Sequence, residues 1–473
     1  MDGASFNLRD GGAFSVRDGS LYIDELACTE LAARFGTPLY VMSETRLRSN
    51  VRRIGAALAA GWPLGEARLL PSIKANPTLA TRVVLTSEGV GCDTFGETEL
   101  DVALRAGVPP ALISVNGASK STALIRRAVA VGARITLDSG RELPMAEKAA
   151  ADAGTTARVR IRLRPRLDGV ETPSDFAGDG TSIREVFQSY KAGVPIDDAV
   201  ALGSAALDSR HIELVGVHTH LARQTADVSL WRTQIDSFAD LLAEMSASWG
   251  GWLPAEIDVG GGWPSPLDPV GRRAAQTRTR PLPADAADYA HAVADSLADA
   301  LQERGLAREG MLLEAEPGRA VYADAGLHLA TVTNVKKQRD PDPRCWIETD
   351  TSEVFMLDTT LENALFPVVS TTRADAEPTL LADVTGISCN FDVIAPAVAV
   401  PEVAPGEVIA FLETGAYQEA SAANFNGLPR PATVLVCGAT AEVVKRRETI
   451  DDVLGRDSVP ERLHAAASAW GAA

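Results

Sequence analysis

Between residues 67 and 315 the chain alternates two hydrophobic periods. Short apolar runs read as buried strands: Ala67–Ile73, Gly89–Asp93, Leu112–Asn116, Ile135–Asp138, Val159–Leu163, Ile212–His218, Glu256–Val259 and Met311–Ala315. Between several of them lie Ala-rich helical patterns, at Glu97–Arg105, Lys120–Val131, Arg141–Ala153 and Val228–Ala247. Eight apolar runs interleaved with helices predict an α/β fold, a (β/α)8 barrel of about 250 residues. No internal sequence repeat stands out.

After residue 325 the alternation stops. Short strands rich in Val, Ile and Thr follow at Ala330–Val335, Arg344–Glu348, Thr379–Val384, Val408–Leu412 and Ala432–Val436, punctuated by Gly and Pro. They predict a C-terminal all-β domain. The expected division is 1–40, an N-terminal segment that joins the β-domain; 41–325, the barrel; 326–445, the β-domain; and 446–473, a charged helical tail. The loop after the seventh run carries Arg272, Arg273, Arg278 and Arg280 and is long for a barrel. It reads as a solvated insertion, with a substrate-facing lid as the alternative.

Composition narrows the class. A chain of 473 residues has two domains as its natural division, and 46% hydrophobic content supplies a large core. A net charge of −18 argues against nucleic acid and anionic membranes as partners. No run approaches the ~20 apolar residues of a membrane span. The start, Met1-Asp2-Gly3-Ala4-Ser5, has no signal-peptide pattern, and the five cysteines form no CxxC pair. A reducing cytoplasm without structural zinc is the expectation.

Candidate chemistry collects where the runs end. In a (β/α)8 barrel that is the functional face. The ends carry Lys74, Asp93, Asn116, Asp138, Arg162, His220, Gly260-Gly261-Gly262 and Glu316-Pro317-Gly318-Arg319. A lysine closing a buried strand is poorly placed as a surface charge. It suits a Schiff base to a carbonyl cofactor. Consecutive glycines let the backbone approach an anion, although a triplet is more often a tight turn. Glu316 beside a pyridine nitrogen would keep that nitrogen protonated; its structural alternative is an ion pair with Arg162 or Arg319. His220 offers a face to a planar ring and lies on the same side as His218.

Together these motifs resemble the fold-type III pyridoxal phosphate enzymes, the group of diaminopimelate and ornithine decarboxylases. The segments are Ser72-Ile73-Lys74-Ala75-Asn76-Pro77, Gly91-Cys92-Asp93 through Leu100, Gly216-Val217-His218-Thr219-His220, Asp258-Val259-Gly260-Gly261-Gly262, Glu316-Pro317-Gly318-Arg319, Gly415-Ala416-Tyr417 and Asn424 through Pro431. They occur in the family's order, from about residue 20 to 440. The resemblance implies an alanine-racemase-like barrel, a C-terminal β-domain and a homodimer with shared active sites. It implies that Lys74 carries pyridoxal 5'-phosphate as a Schiff base and that Glu316 meets the pyridine nitrogen. His220 would stack on the ring. Asp93, Arg162, Gly261, Gly262, Gly318, Arg319 and Tyr417 would surround the cofactor and its phosphate. Cys389 would reach in from the partner subunit to protonate the product.

Three departures concern the substrate, a small amino acid. The partner-subunit segment, usually Cys-Glu-Ser-Gly-Asp or Cys-Asp-Gly, is here Cys389-Asn390-Phe391-Asp392. The acid that often meets a distal amine is the neutral Asn390. The histidine motif continues Leu221-Ala222-Arg223-Gln224, so Arg223 replaces a small hydroxyl residue near the phosphate. The Arg-Pro-Ala-Leu-Tyr stretch that grips a distal carboxylate is matched by Glu362-Asn363-Ala364-Leu365-Phe366. Glutamate there would repel that carboxylate. The resulting expectation is a decarboxylase with an altered pocket, of a specialised biosynthetic pathway. The alternatives are a racemase of the same fold, against which Glu316 argues because alanine racemases use an arginine there, and a non-catalytic homologue.

Overall fold

The computed structural model describes residues 12–174, 180–220, 227–270 and 284–463. Its first layer is the barrel. The strands are Ala67–Leu69, Cys92–Thr94, Ile113–Val115, Arg134–Leu137, Ala157–Arg162, Ile212–His218, Glu256–Asp258 and Leu312–Ala315. Each from the second onward pairs in parallel with the next, and the eighth pairs with the first. Backbone hydrogen bonds from Gly91 N–H to Leu69 O and from Asp93 N–H to Leu70 O join the first strand to the second. The first strand stops well before the expected Ile73, and Ile73–Ala75 forms a turn of 3₁₀ helix. Pro71 explains the stop, since it has no N–H for the ladder.

The helices that clothe the barrel start and stop where local chemistry dictates. Ser121 accepts from Leu124 N–H at the start of Thr122–Val131, and Gly132 ends that helix in the left-handed region, φ 80°. Ser182 and Glu185 form a reciprocal cap on Ile183–Ser189. Asp285 and Asp288 do the same for Ala286–Glu303, whose Tyr289, Val293, Leu297 and Leu301 are buried. Packing of such faces builds one core around the barrel.

Part of the barrel interior is ionic rather than hydrocarbon. Arg160 bonds Asp258 at 2.7 Å, Glu256 at 3.0 Å and also Glu314. Arg134 bonds Glu314 at 2.7 Å and approaches Glu256 at 3.4 Å. All five side chains are buried. The register explains the meeting: Glu314 lies opposite Asp258, and Gly216 lies between Arg160 and Glu256. Buried charges in such a cluster are tolerated only when each has a partner, because removing one leaves its partner uncompensated.

The second layer is β-structure. Its main sheet runs Val393–Val400, Leu380–Thr385, Arg344–Thr349, Gly326–Gln338, Leu39–Ser43, Ala432–Cys437, Thr440–Lys445, with Val408–Leu412 attached to Gly326–Gln338 and Val368–Ser370 attached to Val408–Leu412. Leu39–Ser43 lies between strands from the far end of the chain, antiparallel to Gly326–Gln338 and parallel to Ala432–Cys437. It therefore straddles the boundary expected at residue 40, and the barrel portion begins with the helix Glu44–Ala60, capped by Ser43. A small sheet of Phe14–Arg17, Ser20–Ile23 and Leu26–Ala27 packs its Leu21 and Ile23 into the same cluster as Val41, Leu327 and Val434. In the tail, Ile450–Leu454 forms a short helix.

Candidate active site

The site grows from the carboxyl ends of the barrel strands. Lys74, in the 3₁₀ turn, donates to Ser72 Oγ at 2.7 Å and to Asp93 Oδ2 at 3.1 Å. Its side chain is 45% exposed, while Asp93 is buried. Ser72 also donates to Asp93 Oδ2 at 2.6 Å. Asn116, just past the third strand, donates to Asp93 Oδ1 at 2.7 Å and to Glu316 Oε1. An amine and an acid are thus the two ends of one hydrogen-bonded chain, Lys74–Asp93–Asn116–Glu316.

Charges follow from burial and neighbours. Burial pushes the Lys74 ammonium down, but Asp93, Tyr417 and Glu316 outweigh it and hold Lys74 above its ordinary value. Burial opposes charge on Asp93 too. Lys74 and the bonds from Ser72 and Asn116 hold it below the usual carboxylate range. Glu316 is pushed up to about 7 by burial and by Asp93. His218 Nε2 lies 3.3 Å from Glu316 Oε2, and burial lowers the imidazole to about 3, so it is neutral.

The glycine segment follows the seventh strand. Asp258 Oδ1 accepts from Gly260 N–H at 2.9 Å, and His220 Nδ1 accepts from Gly261 N–H at 3.2 Å. That bond assigns the His220 proton to Nε2. A Cβ on Gly260, whose φ is 68°, would stand 2.4 Å from His220 Nδ1, and one on Gly261 would stand 2.3 Å from Glu316 O. Gly262 has φ 96°. Only glycine lets the segment lie against both His220 and Glu316.

The β-domain closes the other side. Tyr417, at φ 69°, donates its N–H to Ala75 O at 2.7 Å. A Cβ on Gly318 would stand 2.7 Å from the Tyr417 hydroxyl and 3.2 Å from Ala75 Cβ. Arg319 lies over the Tyr417 ring at 4.9 Å and donates to Asp358 at 2.9 Å and Glu362 at 2.8 Å. Burial raises Asp358 although Arg319 pulls it down.

Of the residues expected in the site, Lys74, Asp93, Glu316, His220, Gly261, Gly318, Arg319 and Tyr417 are linked by these contacts. Arg319 was expected at a phosphate; its Nη2 instead joins two carboxylates, because the residues after Phe355 fold Asp358 and Glu362 back onto it. Arg162 lies 3.9 Å from Asp138 and 5.8 Å from the Tyr190 ring centre. Arg223 and the 272–280 arginines lie outside the described residues. Cys389, Asn390 and Phe391 form an exposed tip, with Phe391 97% exposed. Asp392 is buried and accepts from Ser352 Oγ, Glu353 N–H and Ser388 N–H, which bind it into its own loop. Sequence reasoning placed Asn116 at the functional face and Ser72 and Asp258 within the motifs but gave none of them a role, and it did not single out Asp358. Ser72 had a signal, being two residues from Lys74 in an extended segment; Asp258 had one in its place directly before the glycines.

An exposed lysine backed by a carboxylate, a buried acid at the far end of the same hydrogen-bond chain, and glycines where any Cβ would intrude fit pyridoxal phosphate. Lys74 would suit its aldehyde carbon, Glu316 its ring nitrogen, and the glycine segment an anionic group. This defines the class: a pyridoxal enzyme built on a barrel. The sequence pattern of the pyridoxal binding domain of pyridoxal-dependent decarboxylases matches residues 48–323, and the chain belongs to that family. It is 29% identical over 444 residues to diaminopimelate decarboxylase of Methanothermobacter thermautotrophicus, covering 94% of this chain and 96% of that protein. The same enzyme of Pseudomonas aeruginosa is 29% identical over 440 residues, covering 93% and 97%. The crystal structure of diaminopimelate decarboxylase from M. jannaschii with L-lysine superposes with a TM-score of 0.83 at 26% identity, covering 95% of this chain and 99% of that one. The activity is therefore pyridoxal phosphate-dependent decarboxylation of an amino acid, and nothing favours the racemase alternative.

Proposed function

We propose that this decarboxylase acts, as a cytoplasmic homodimer, on an amino acid whose distal end is not a carboxylate. The reading rests on one observation: Arg319, beside Tyr417, is already bonded to the side-chain carboxylates of Asp358 and Glu362. When bound, pyridoxal phosphate supplies the electron sink that takes up the pair left as the α-carboxylate departs as CO2. Lys74 would supply the amine that holds the cofactor. Asp93, with Ser72 and Asn116, keeps that amine oriented. Glu316 would hold negative charge toward the ring nitrogen, and His220 would cover the ring. The Cys389 thiol, brought by the partner subunit, returns a proton to Cα. Its exposed position in one subunit, next to the bare Phe391, supports that role.

A distal carboxylate entering this pocket meets the like charges of Asp358 and Glu362, which already share Arg319 Nη2. That costs on the order of 2–5 kcal/mol, a loss of about 30-fold to several thousand-fold in kcat/KM. A neutral polar or cationic end avoids the repulsion. The test is CO2 release, with kcat/KM compared for meso-diaminopimelate, ornithine, lysine, arginine, citrulline and glutamine. Diaminopimelate is expected to trail the best of these by at least 30-fold, the lower end of the range above. Efficient turnover of diaminopimelate would overturn the distal-pocket reading.

A further inference from the structure

Beneath Glu316 lies a second buried carboxyl group, Asp258, at the end of the seventh strand. The two groups and His218 offer ligand atoms within 4.8 Å of one another, and all three residues are buried. Two carboxylates so close in a dry site do not both ionise unless cations compensate them. The charged and titratable neighbours can be counted by element. The first and second strands contribute Lys74 and Asp93, which neutralise each other. The fourth and fifth contribute Arg134 and Arg160, matched by Glu314 and Glu256 of the eighth and seventh. Half-exposed Arg158 shares Glu256 from the rim. Arg162 stands with Asp138, and His218 of the sixth is neutral. Arg158 is matched at the rim by Glu213 at 3.8 Å, so no cation is left over for a second negative charge on the Asp258–Glu316 pair.

We propose that Asp258 is a positioning residue that stands as a neutral carboxylic acid and donates its hydrogen bond to Glu316. Glu316 then meets the cofactor ring nitrogen as the single charge of the pair. The arrangement leaves both Asp258 oxygens able to accept, one from Gly260 N–H and the other from Arg160 at 2.7 Å. Burial and the proximity of Glu316 raise Asp258 in the same direction. The inference rests on the reading that the ring nitrogen faces Glu316. It adds that the proton keeping Glu316 singly charged and oriented is stored one strand away, on the residue that also fixes the glycine segment.

Asp258→Asn tests this, because an amide has the shape and the donor of a neutral acid but cannot ionise. The variant is expected to fold and to bind pyridoxal phosphate within a few-fold of wild type. Its bound-cofactor absorption should lose an alkaline transition that the wild-type holoenzyme shows when the pair gives up its proton. The proposal is overturned if Asp258→Asn fails to fold or loses cofactor affinity by about 100-fold or more, as expected for an ionised partner of Arg160. It is overturned equally by a wild type without the alkaline transition or a variant that retains it. An infrared spectrum of the protein labelled with 13C-aspartate separates this from the cofactor reading. A protonated-carboxyl band that disappears in Asp258→Asn reports the neutral acid even if no cofactor binds, and its absence from wild type counts against the proposal.

Discussion

At the scale of single residues, the site is a contest between burial and charge pairing. Lys74 stays an ammonium because Asp93 stands 3.1 Å away. Asp93 in turn stays a carboxylate because Ser72, Lys74 and Asn116 all donate to it. Two predictions follow at this scale. Borohydride should fix pyridoxal phosphate to Lys74 in the purified yellow protein, and Lys74→Ala should give no adduct by mass spectrometry of the digested chain. Asn116→Leu removes the donor shared by Asp93 and Glu316 and leaves both acceptors short, at about 1–3 kcal/mol. Cofactor affinity, read by absorbance titration, should weaken by about one to two decades, and an unchanged affinity would show that the chain of hydrogen bonds is incidental. The sequence made Lys74, Glu316 and the glycines legible because each closes a strand in a recognisable order. It did not reveal Asn116 as a bridge, since its partners are 23 and 200 residues away.

At the scale of elements, what matters is how loops are held against the strand ends. Glu413, buried at the end of Val408–Leu412, accepts from Ser265 Oγ and from Leu267 N–H at 2.7 Å, tying the segment after the glycines to the β-domain. Burial and Asp324 push Glu413 from 4.5 up to about 8. Between those values the folded chain keeps a proton the unfolded chain has lost. Its stabilisation is therefore complete below about pH 4.5 and is lost as pH rises through about 8. Glu413→Gln should flatten the fall in thermal stability across that window, which otherwise approaches about 1.4 kcal/mol per pH unit from this group. Melting curves at pH 5 to 9 would show it, and parallel curves for both proteins would refute it. Gly261→Ala should cost more, because the new Cβ would lie 2.3 Å from the Glu316 carbonyl oxygen and backbone must move. Cofactor content is the readout, with near-complete loss expected. Elements with one period were legible: the sixth barrel strand is Ile212–His218 as expected. The run Val393–Val400 was not, because Pro396 and the positive φ of Ala397 interrupt its alternation.

At the scale of the whole molecule, the barrel and the β-domain share one site, since Tyr417 and Arg319 meet across their boundary. The proposed dimer adds a second boundary. If Cys389 completes the neighbour's site, mixing Lys74→Ala with Cys389→Ala subunits should restore activity in heterodimers, where one of the two sites is intact. Absence of rescue after verified subunit exchange would put Cys389 outside the neighbour's chemistry. The barrel was legible because its contacts are local and sequential. The sheet was not, because Leu39–Ser43 pairs with residues near 327 and 434, and no local pattern announces such partners. That strand has a consequence for biosynthesis. It is the first strand of the main sheet to leave the ribosome, yet both its partners follow the whole barrel in the chain. At 5–20 residues per second, its first partner is translated roughly 15–60 s later. The nascent chain must carry Leu39, Tyr40, Val41 and Met42, all buried in the finished protein, unpaired while the barrel is being made. A trigger-type holdase, or slow release, has a defined stretch of chain to protect.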